Sequence, residues 1–357
     1  MNMVDCGPAS VMPPLVTIAI PTFNRPALLK ICVAAALSQT YENFEVIVSD
    51  NASVDDVYQV LSAFSDKRLR IIRQDTNIGL LRNWNACLAA ARGDYFILVP
   101  DDDTISPWLV ERCMDLTKDQ PSLSIIVALS DYRLGPMGES LPGYTSRSLA
   151  TGIWDGTTVL MEYLTDRISV TMCSVMMKTE RLRAQGGFPL DFPHTADVAA
   201  WAPLLFLGKA GFVNESCATF YEHNQTETAR LGVERLLCDG WKVEALLSRI
   251  AQQKVFDPLL RKKIQSEIRR CFSRRGLKAL AYERHNGGNI FTLLQFAWHF
   301  RRELNDVDTK DFLRFFAVLL CPRPLSHRIR RLKQVIPGEL NAGQTSRDGR
   351  MAGSTPM

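Results

Sequence analysis

Four short apolar runs alternate with segments of helical periodicity over the first hundred residues, and this alternation restricts the fold more than any other feature. The runs are VTIAI (16–20), FEVIVSD (44–50), LRIIRQ (69–74) and YFILVP (95–100). Between them, residues 27–38, 54–65 and 80–92 repeat their apolar positions with the spacing of a helix. Such alternation is typical of βαβ units, so it predicts a mostly parallel sheet covered by helices on both faces.

Polar residues stand at the carboxyl end of each predicted strand. They are Thr22 and Asn24 after the first run, Asp50 and Asn51 after the second, Asn77 after the third, and Asp101–Asp103 after the fourth. In open α/β sheets, ligands bind in the crevice outside the carboxyl ends of the strands. The sequence therefore predicts one crevice that receives polar groups from four loops.

The three consecutive aspartates, Asp101, Asp102 and Asp103, allow three interpretations. They could form a solvated turn, a calcium loop of the EF-hand type, or a divalent-cation site that holds a diphosphate. A calcium loop starting at Asp101 needs Gly at its sixth position and Glu at its twelfth, where this chain has Ser106 and Arg112. Mg²⁺ and Mn²⁺ usually take one or two carboxylates plus substrate phosphates, and the position at a strand end favours this third interpretation.

Taken in order and spacing, a set of motifs resembles the family 2 glycosyltransferases, enzymes of GT-A fold that transfer a sugar from a nucleotide diphosphate to an acceptor hydroxyl. The resemblance is strong over about residues 14–130, continues more weakly to about 228, and does not cover the remainder. The motifs are VTIAIPTFN (16–24), DNAS (50–53), Asn77-x-Gly79, Arg82-Asn83, Gly93-Asp94-Tyr95 and Asp101–Asp103, followed by Gly186-Gly-Phe188, Ala196-Asp197 with Trp201, and Tyr221-x-His223.

The resemblance implies roles for individual residues. The expected donor-nucleotide residues are Pro21, Thr22, Asn24, Arg25, Asp50, Asn51, Asn77, Arg82, Asn83, Asp101 and Asp102. The expected ligands of a Mn²⁺ or Mg²⁺ ion are Asp103, Asp101 and His223. Because three aspartates are consecutive, the roles within this triplet can shift by one residue.

Asp197 is the expected catalytic base. Inverting transfer is an in-line displacement at the anomeric carbon, and it needs a carboxylate to accept the proton of the acceptor hydroxyl. The family often carries a Glu-Asp pair here, whereas this chain has Ala196 before Asp197. The alternative interpretation is an aspartate in the first turn of a helix, favoured by the helix dipole.

Charge divides the chain into an acidic front and a basic rear. Residues 255–335 carry 18 Lys and Arg against 7 Asp and Glu, whereas residues 1–254 carry 22 against 29. We expect a tail (1–14), a GT-A domain (15–230, with a nucleotide half to about 130 and an acceptor half from 131), a basic helical segment (231–335) and a disordered tail (336–357). Residues 311–333 join an apolar block to a basic one, which indicates contact with an anionic membrane surface.

The predicted function is therefore a metal-dependent inverting glycosyltransferase of cell-surface polysaccharide or lipopolysaccharide synthesis. Its expected partners are a nucleotide-sugar donor, a glycan or lipid-linked glycan acceptor and an anionic membrane surface, with no nucleic acid. Nine dispersed cysteines, no apolar run of about 20 residues and no signal-peptide pattern indicate a cytoplasmic protein, free or peripheral at the inner face of the membrane. The alternatives are a sugar-phosphate nucleotidyltransferase and a non-catalytic nucleotide-sugar or glycan-binding protein.

Overall fold

The computed structural model describes residues 13–54, 57–134, 140–141, 149–222, 232–285 and 288–299, together with Thr309, Leu313 and Phe316. Ten strands occur in these residues: β1 Val16–Thr22, β2 Phe44–Asp50, β3 Leu69–Arg73, β4 Tyr95–Leu98, β5 Thr104–Ile105, β6 Ile125–Leu134, β7 Ser140–Leu141, β8 Gly152–Asp155, β9 Val175–Lys178 and β10 Lys209–Glu222. The α-helices are α1 Pro26–Leu37, α2 Val57–Leu61, α3 Leu80–Ala90, α4 Leu109–Asp119, α5 Gly156–Leu164, α6 Thr179–Ala184, α7 Ala196–Trp201, α8 Val233–Lys254, α9 Pro258–His285 and α10 Ile290–His299.

The strands form one mixed sheet in the order β3-β2-β1-β4-β9-β6-β10-β5, with β7 beside β6 and β8 beside β10. Strands β3, β2, β1 and β4 are parallel, and β6 is parallel to β10. Strand β9 runs antiparallel to both β4 and β6 and so joins the two parallel parts. The predicted α/β fold with a mostly parallel sheet is confirmed, and the carboxyl ends of β1, β2 and β4 meet at one edge.

The central strands bury both of their faces. Along β4, Tyr95 and Ile97 pack in the core with α1 and α4, whereas Phe96 and Leu98 pack in the core on the opposite face. This explains why these strands read as continuous apolar runs, since a parallel strand between two helical layers exposes neither face to water.

The basic rear segment packs on the same domain. Buried residues of α8 (Val243, Leu247) and of α9 (Ile264, Ile268) belong to one hydrophobic cluster with Phe96 and Trp201. The composition change near residue 230 therefore does not coincide with a break between two cores. Residues 311–333, apart from Leu313 and Phe316, lie outside the described part of the chain, as does the predicted tail after 336.

Two predicted elements differ from the structure. The apolar pattern of residues 169–178 (SVTMCSVMMK) predicts a single strand, but β9 begins only at Val175 because a 3₁₀ turn occupies Met172–Ser174. Thr171 and Ser174 close that turn by reciprocal hydrogen bonds, which compete with extended pairing. The apolar residues of 195–207 (TADVAAWAPLLFL) predict one helix. It is α only to Trp201 and continues as a 3₁₀ helix from Ala202, because Pro203 lacks the N–H that an α-helix needs.

Two further observations concern the described residues. All seven cysteines among them are free thiols, and six of these are buried. No helix in the described ranges is both long and apolar enough to cross a bilayer.

Candidate functional site

A cavity of about 800 Å³ opens at the carboxyl ends of β1, β2 and β4. One part of its wall comes from the strand-end loops, with Arg25, Asn51, Asn77 and Asp101–Asp103. The other part comes from the segment 193–198 and from helices α8 and α9. The crevice predicted from four loops is therefore present, and the rear segment of the chain supplies an additional wall.

Arg25 forms ion pairs with Asp101 and Asp102, and Thr22 donates a hydrogen bond to Asp101. The Arg25 guanidinium donates Nη1 to Asp101 Oδ1 at 3.2 Å and to Asp102 Oδ2 at 2.7 Å. Thr22 Oγ1 donates to Asp101 Oδ2 at 2.7 Å. Burial, and next the neighbouring charge of Asp102, raise the pKa of Asp101 to about 6, although Arg25 opposes the shift. The repulsion within the triplet is thus relieved by a cation of the chain itself.

Asp103 is held separately from the other two aspartates. Its side chain is 1% exposed, and its Oδ1 accepts the backbone N–H of Tyr221 in β10 at 3.1 Å. Burial, and next the charge of Asp102, raise the pKa of Asp103 well above the ordinary value. Asp103 therefore lies where the β4 loop meets β10, between the two parallel parts of the sheet.

Asparagines stabilise the loops that follow β1, β2 and β3. Asn24 has a left-handed backbone (φ 54°), and its Oδ1 accepts the Val54 N–H at 2.8 Å. Asn51 Nδ2 donates to Asn77 Oδ1 at 2.9 Å. Asparagine tolerates the left-handed region and bonds to nearby backbone, which suits it to such loops. Together with Pro21, these three side chains line the cavity.

Three predicted donor residues differ from the others in their placement. Asp50 is fully buried, does not line the cavity, and accepts the Ser53 N–H at 3.0 Å while Arg73 Nη1 lies 3.4 Å away. Asn83 reaches the cavity wall, but its amide exchanges two hydrogen bonds with Ser49 of β2.

Arg82 is exposed and does not line the cavity. His223 lies outside the described residues. Among the predicted site residues, the structure thus brings the loop asparagines, Arg25, the aspartate triplet and Asp197 to one cavity.

Asp197 lies in the first turn of α7 and lines the same cavity as the loop asparagines. Burial raises the pKa of Asp197, while the N–H of Val198 and the charges of His194 and Arg275 act in the opposite direction. Burial also lowers the pKa of the neighbouring His194. A carboxyl with a raised pKa is better matched to proton transfer near neutral pH than an ordinary aspartate.

Helix α8 fixes the loop that carries Asp197. Asp239 is 1% exposed, and its Oδ2 accepts the backbone N–H of His194 at 2.8 Å. Lys242 donates Nζ to the carbonyl of Asp191 at 2.8 Å and lies 3.3 Å from Asp239 Oδ1. The charge of Asp239 is therefore paired, and α8 holds both ends of the segment 191–194.

We expect Asp239→Ala to lower kcat about 10- to 100-fold with little change in KM for the donor. The variant leaves the buried His194 N–H without an acceptor, and a small displacement of a catalytic group costs rate on this scale. Asp239→Asn keeps a carbonyl oxygen that can accept this N–H, so it should recover part of kcat. Steady-state kinetics with varied donor provide the measurement. Equal losses in both variants, or a loss confined to KM, would contradict a positioning role.

Arg275 of α9 also lines the cavity and lies within electrostatic reach of Asp197. Its Nη1 donates to the Tyr163 hydroxyl at 2.6 Å, and the guanidinium carbon lies 4.4 Å from the centre of the Tyr163 ring. Arg275, Asp239 and His194 were not predicted from the sequence. Arg275 belongs to a run of basic helical residues that looks solvated, and no local pattern distinguishes it from its neighbours.

The aspartates fit a cation that is shared with a substrate diphosphate. Asp101 and Asp103 offer hard carboxylate oxygens at the cavity wall, the ligand type that Mg²⁺ and Mn²⁺ prefer. Within the described residues, no group of three His, Cys, Asp or Glu side chains could hold a metal ion. Phosphate oxygens would therefore have to complete the coordination, as is usual for Mg²⁺.

Comparison with known proteins gives a family and a group of relatives. The family model "Glycosyl transferase family 2" matches residues 17–150. A relative from Escherichia coli, the UDP-Glc:alpha-D-GlcNAc-diphosphoundecaprenol beta-1,3-glucosyltransferase WfaP, is 34% identical over 118 residues. That match covers 33% of this chain and 46% of WfaP. Another relative, the uncharacterized protein MT1568 of Mycobacterium tuberculosis, is 25% identical over 247 residues, which cover 66% of this chain and 74% of that protein.

Solved structures resemble a larger part of the chain. The crystal structure of Staphylococcus aureus TarS 1–349 in complex with UDP covers 88% of this chain and 87% of that one, with a TM-score of 0.59 and 16% identity. The mannosyltransferase PcManGT from Pyrobaculum calidifontis, in complex with GDP-Man and Mn²⁺, covers 94% and 92%, with a TM-score of 0.50 and 16% identity. At such identities the likeness shows the GT-A fold.

Proposed function

We propose that this chain, a glycosyltransferase whose residues 17–150 match family 2, catalyses a metal-dependent, inverting transfer. The donor is a nucleoside diphosphate sugar, and the acceptor is a hydroxyl of a glycan or lipid-linked glycan in cell-surface polysaccharide synthesis. The observation that carries this proposal is that Asp101–Asp103 and Asp197 line one cavity. An acidic cluster suited to a cation and a separate carboxyl with a raised pKa are what inverting transfer requires.

The strand-end loops bind the donor in this proposal. Pro21, Asn24, Asn51 and Asn77 line the part of the cavity that would receive the nucleoside. Asp50 and Asn83 support this wall from behind, through Ser53 and Ser49. Arg25 is the cation of the chain that lies next to the aspartates, so it can contact the donor phosphates.

Asp101 and Asp103 would hold a divalent cation, which when bound stabilises the negative charge of the departing diphosphate. Asp197 accepts the proton of the acceptor hydroxyl as its oxygen attacks the anomeric carbon. The bond from that carbon to the diphosphate oxygen breaks on the opposite face, and the configuration inverts. The electron pair of the broken bond leaves with the nucleoside diphosphate. PcManGT, of the same fold, has been solved with GDP-Man and Mn²⁺, which supports this assignment.

A panel of UDP-, GDP-, dTDP- and CMP-sugars, each with Mn²⁺, Mg²⁺ or EDTA, tests the function. We expect one donor to raise the melting temperature with metal and not with EDTA, since a ligand at about 100 times its Kd stabilises by about 2.7 kcal/mol. The same donor should be slowly hydrolysed. UTP with a sugar 1-phosphate serves as the control, because a nucleotidyltransferase would release pyrophosphate from that pair. A chain that responds to no donor would contradict the proposal.

A further inference from the structure

Helix α9 brings a positive charge to the cavity wall. Arg275 lines the cavity from α9, together with Trp241 and Phe272 and beside Asp197. The donor residues, by contrast, come from the loops after β1 to β4. Arg275 therefore lies on the side where the acceptor must approach the base, if Asp197 acts as proposed above.

Arg275 belongs to a cluster with more positive than negative charge. Asp166 Oδ2 is paired with Lys278 Nζ at 2.9 Å and with Arg274 Nε at 3.2 Å. Arg275 Nη2 lies 3.9 Å from the other oxygen of Asp166, so its contact with this carboxylate is the longest of the three. Three cations thus share one carboxylate, and of these cations only Arg275 lines the cavity. These four groups alone carry an excess of two positive charges, and an ionised Asp197 near Arg275 offsets one of them.

The surroundings of Arg275 suit an anion joined to an apolar group. Arg275 uses Nη1 for the Tyr163 hydroxyl, which leaves other N–H groups of the guanidinium fork to bind an oxyanion. A phosphate that links a sugar to a hydrocarbon chain is a diester with one negative charge and two free oxygens, which a guanidinium fork can bind through paired hydrogen bonds. The guanidinium carbon lies 5.6 Å from the centre of the Phe272 ring, and Phe272, Trp241 and Ala279 add apolar surface to the cavity wall.

We propose that Arg275 binds a phosphate group of the acceptor, and that the acceptor is a sugar linked through phosphate to a hydrocarbon chain. The proposal rests on the proposed function, since it assumes that the end of the cavity next to Asp197 receives the acceptor. Asp197 also lies within the electrostatic influence of Arg275, so the phosphate and the base share one positively charged neighbour. Arg275 would then select acceptors by their phosphate while the apolar wall contacts the chain attached to it.

Calorimetric titration of farnesyl phosphate, glucose 1-phosphate and farnesol tests this assignment, with and without saturating nucleoside diphosphate and Mn²⁺. We expect the wild type to bind farnesyl phosphate and Arg275→Gln to weaken this binding about tenfold or more, because a hydrogen bond to a charged group is lost. Arg275→Lys keeps the positive charge but not the guanidinium fork, so it should lose less affinity for farnesyl phosphate than Arg275→Gln. Lys278→Gln removes a charge from the same cluster at a side chain that does not line the cavity, so its affinity should stay within about twofold.

The outcomes separate this proposal from the proposed function. A wild type that binds nucleoside diphosphate but neither phosphate compound overturns it, as do equal losses in Arg275→Gln and Lys278→Gln. Farnesol binding as tightly as farnesyl phosphate also overturns it. Glucose 1-phosphate binding as tightly as farnesyl phosphate supports the phosphate subsite but assigns it to free sugar phosphates. The affinity for nucleoside diphosphate should be equal in all variants. A wild type that does not bind nucleoside diphosphate would count against the proposed donor site rather than against the role of Arg275.

Discussion

Asp197→Asn is expected to abolish transfer while leaving donor binding intact. The amide cannot accept the proton of the acceptor hydroxyl, and loss of a general base costs typically 10²–10⁴-fold, so we expect a kcat lower by at least about 100-fold. Transfer and donor affinity are measured separately, by product formation and by calorimetry. Asp191→Asn, an exposed aspartate in the same loop, is the matched control and should keep the wild-type rate.

The pKa of Asp197 gives this prediction a pH dependence and a stability readout. Transfer should decline as the pH falls through the raised pKa, because the base is then protonated. A carboxyl whose pKa is higher in the folded state contributes its stability below its unfolded pKa, and this contribution is lost as the pH rises through the folded pKa. Asp197→Asn should therefore keep or raise the melting temperature at pH 7. A folded variant that retains transfer would rule out Asp197 as the base, whereas a lower melting temperature would contradict the stability expectation.

Asp103→Asn is expected to remove the metal-dependent part of donor binding. An amide is a weaker metal ligand than a carboxylate. Mutation of a residue that only hydrogen-bonds to a metal ligand already lowers metal affinity or activity about 10- to 100-fold, so we expect donor affinity in Mn²⁺ to fall by about 100-fold or more. The variant preserves the oxygen that accepts the Tyr221 N–H, which should keep the β4–β10 junction folded. Thermal shift with the donor, in Mn²⁺ and in EDTA, makes the measurement.

Asp75→Asn provides the control for that variant, since Asp75 is exposed and does not line the cavity. We expect it to behave as the wild type in both conditions. An Asp103→Asn protein whose melting temperature still rises with donor and Mn²⁺, as in the wild type, would move the ligand role to Asp101 or Asp102.

The strands and the loops that follow them could be predicted from local pattern. Each central strand is buried on both faces, so its apolar run is visible without knowledge of its neighbours, and Asn51, Asn77 and Asp101 stand where such runs stop. Since the carboxyl ends of parallel strands meet at one edge, the crevice follows from strand order alone. The boundaries of short or 3₁₀ elements were predicted less well, because the side-chain bond between Thr171 and Ser174 and the proline at 203 override apolar spacing.

The sequence by itself determined the α/β fold, the crevice and the acidic cluster within it, because these depend on the periodicity of neighbouring residues. Only the tertiary structure decided what surrounds the cluster and what completes the cavity. Arg25 pairs with aspartates 76 and 77 residues away, and Asp239 holds a loop 45 residues before it. Arg275 enters the cavity from a helix whose composition resembles a solvated face. Contacts of this kind are set by the packing of distant segments, and local periodicity carries no information about them.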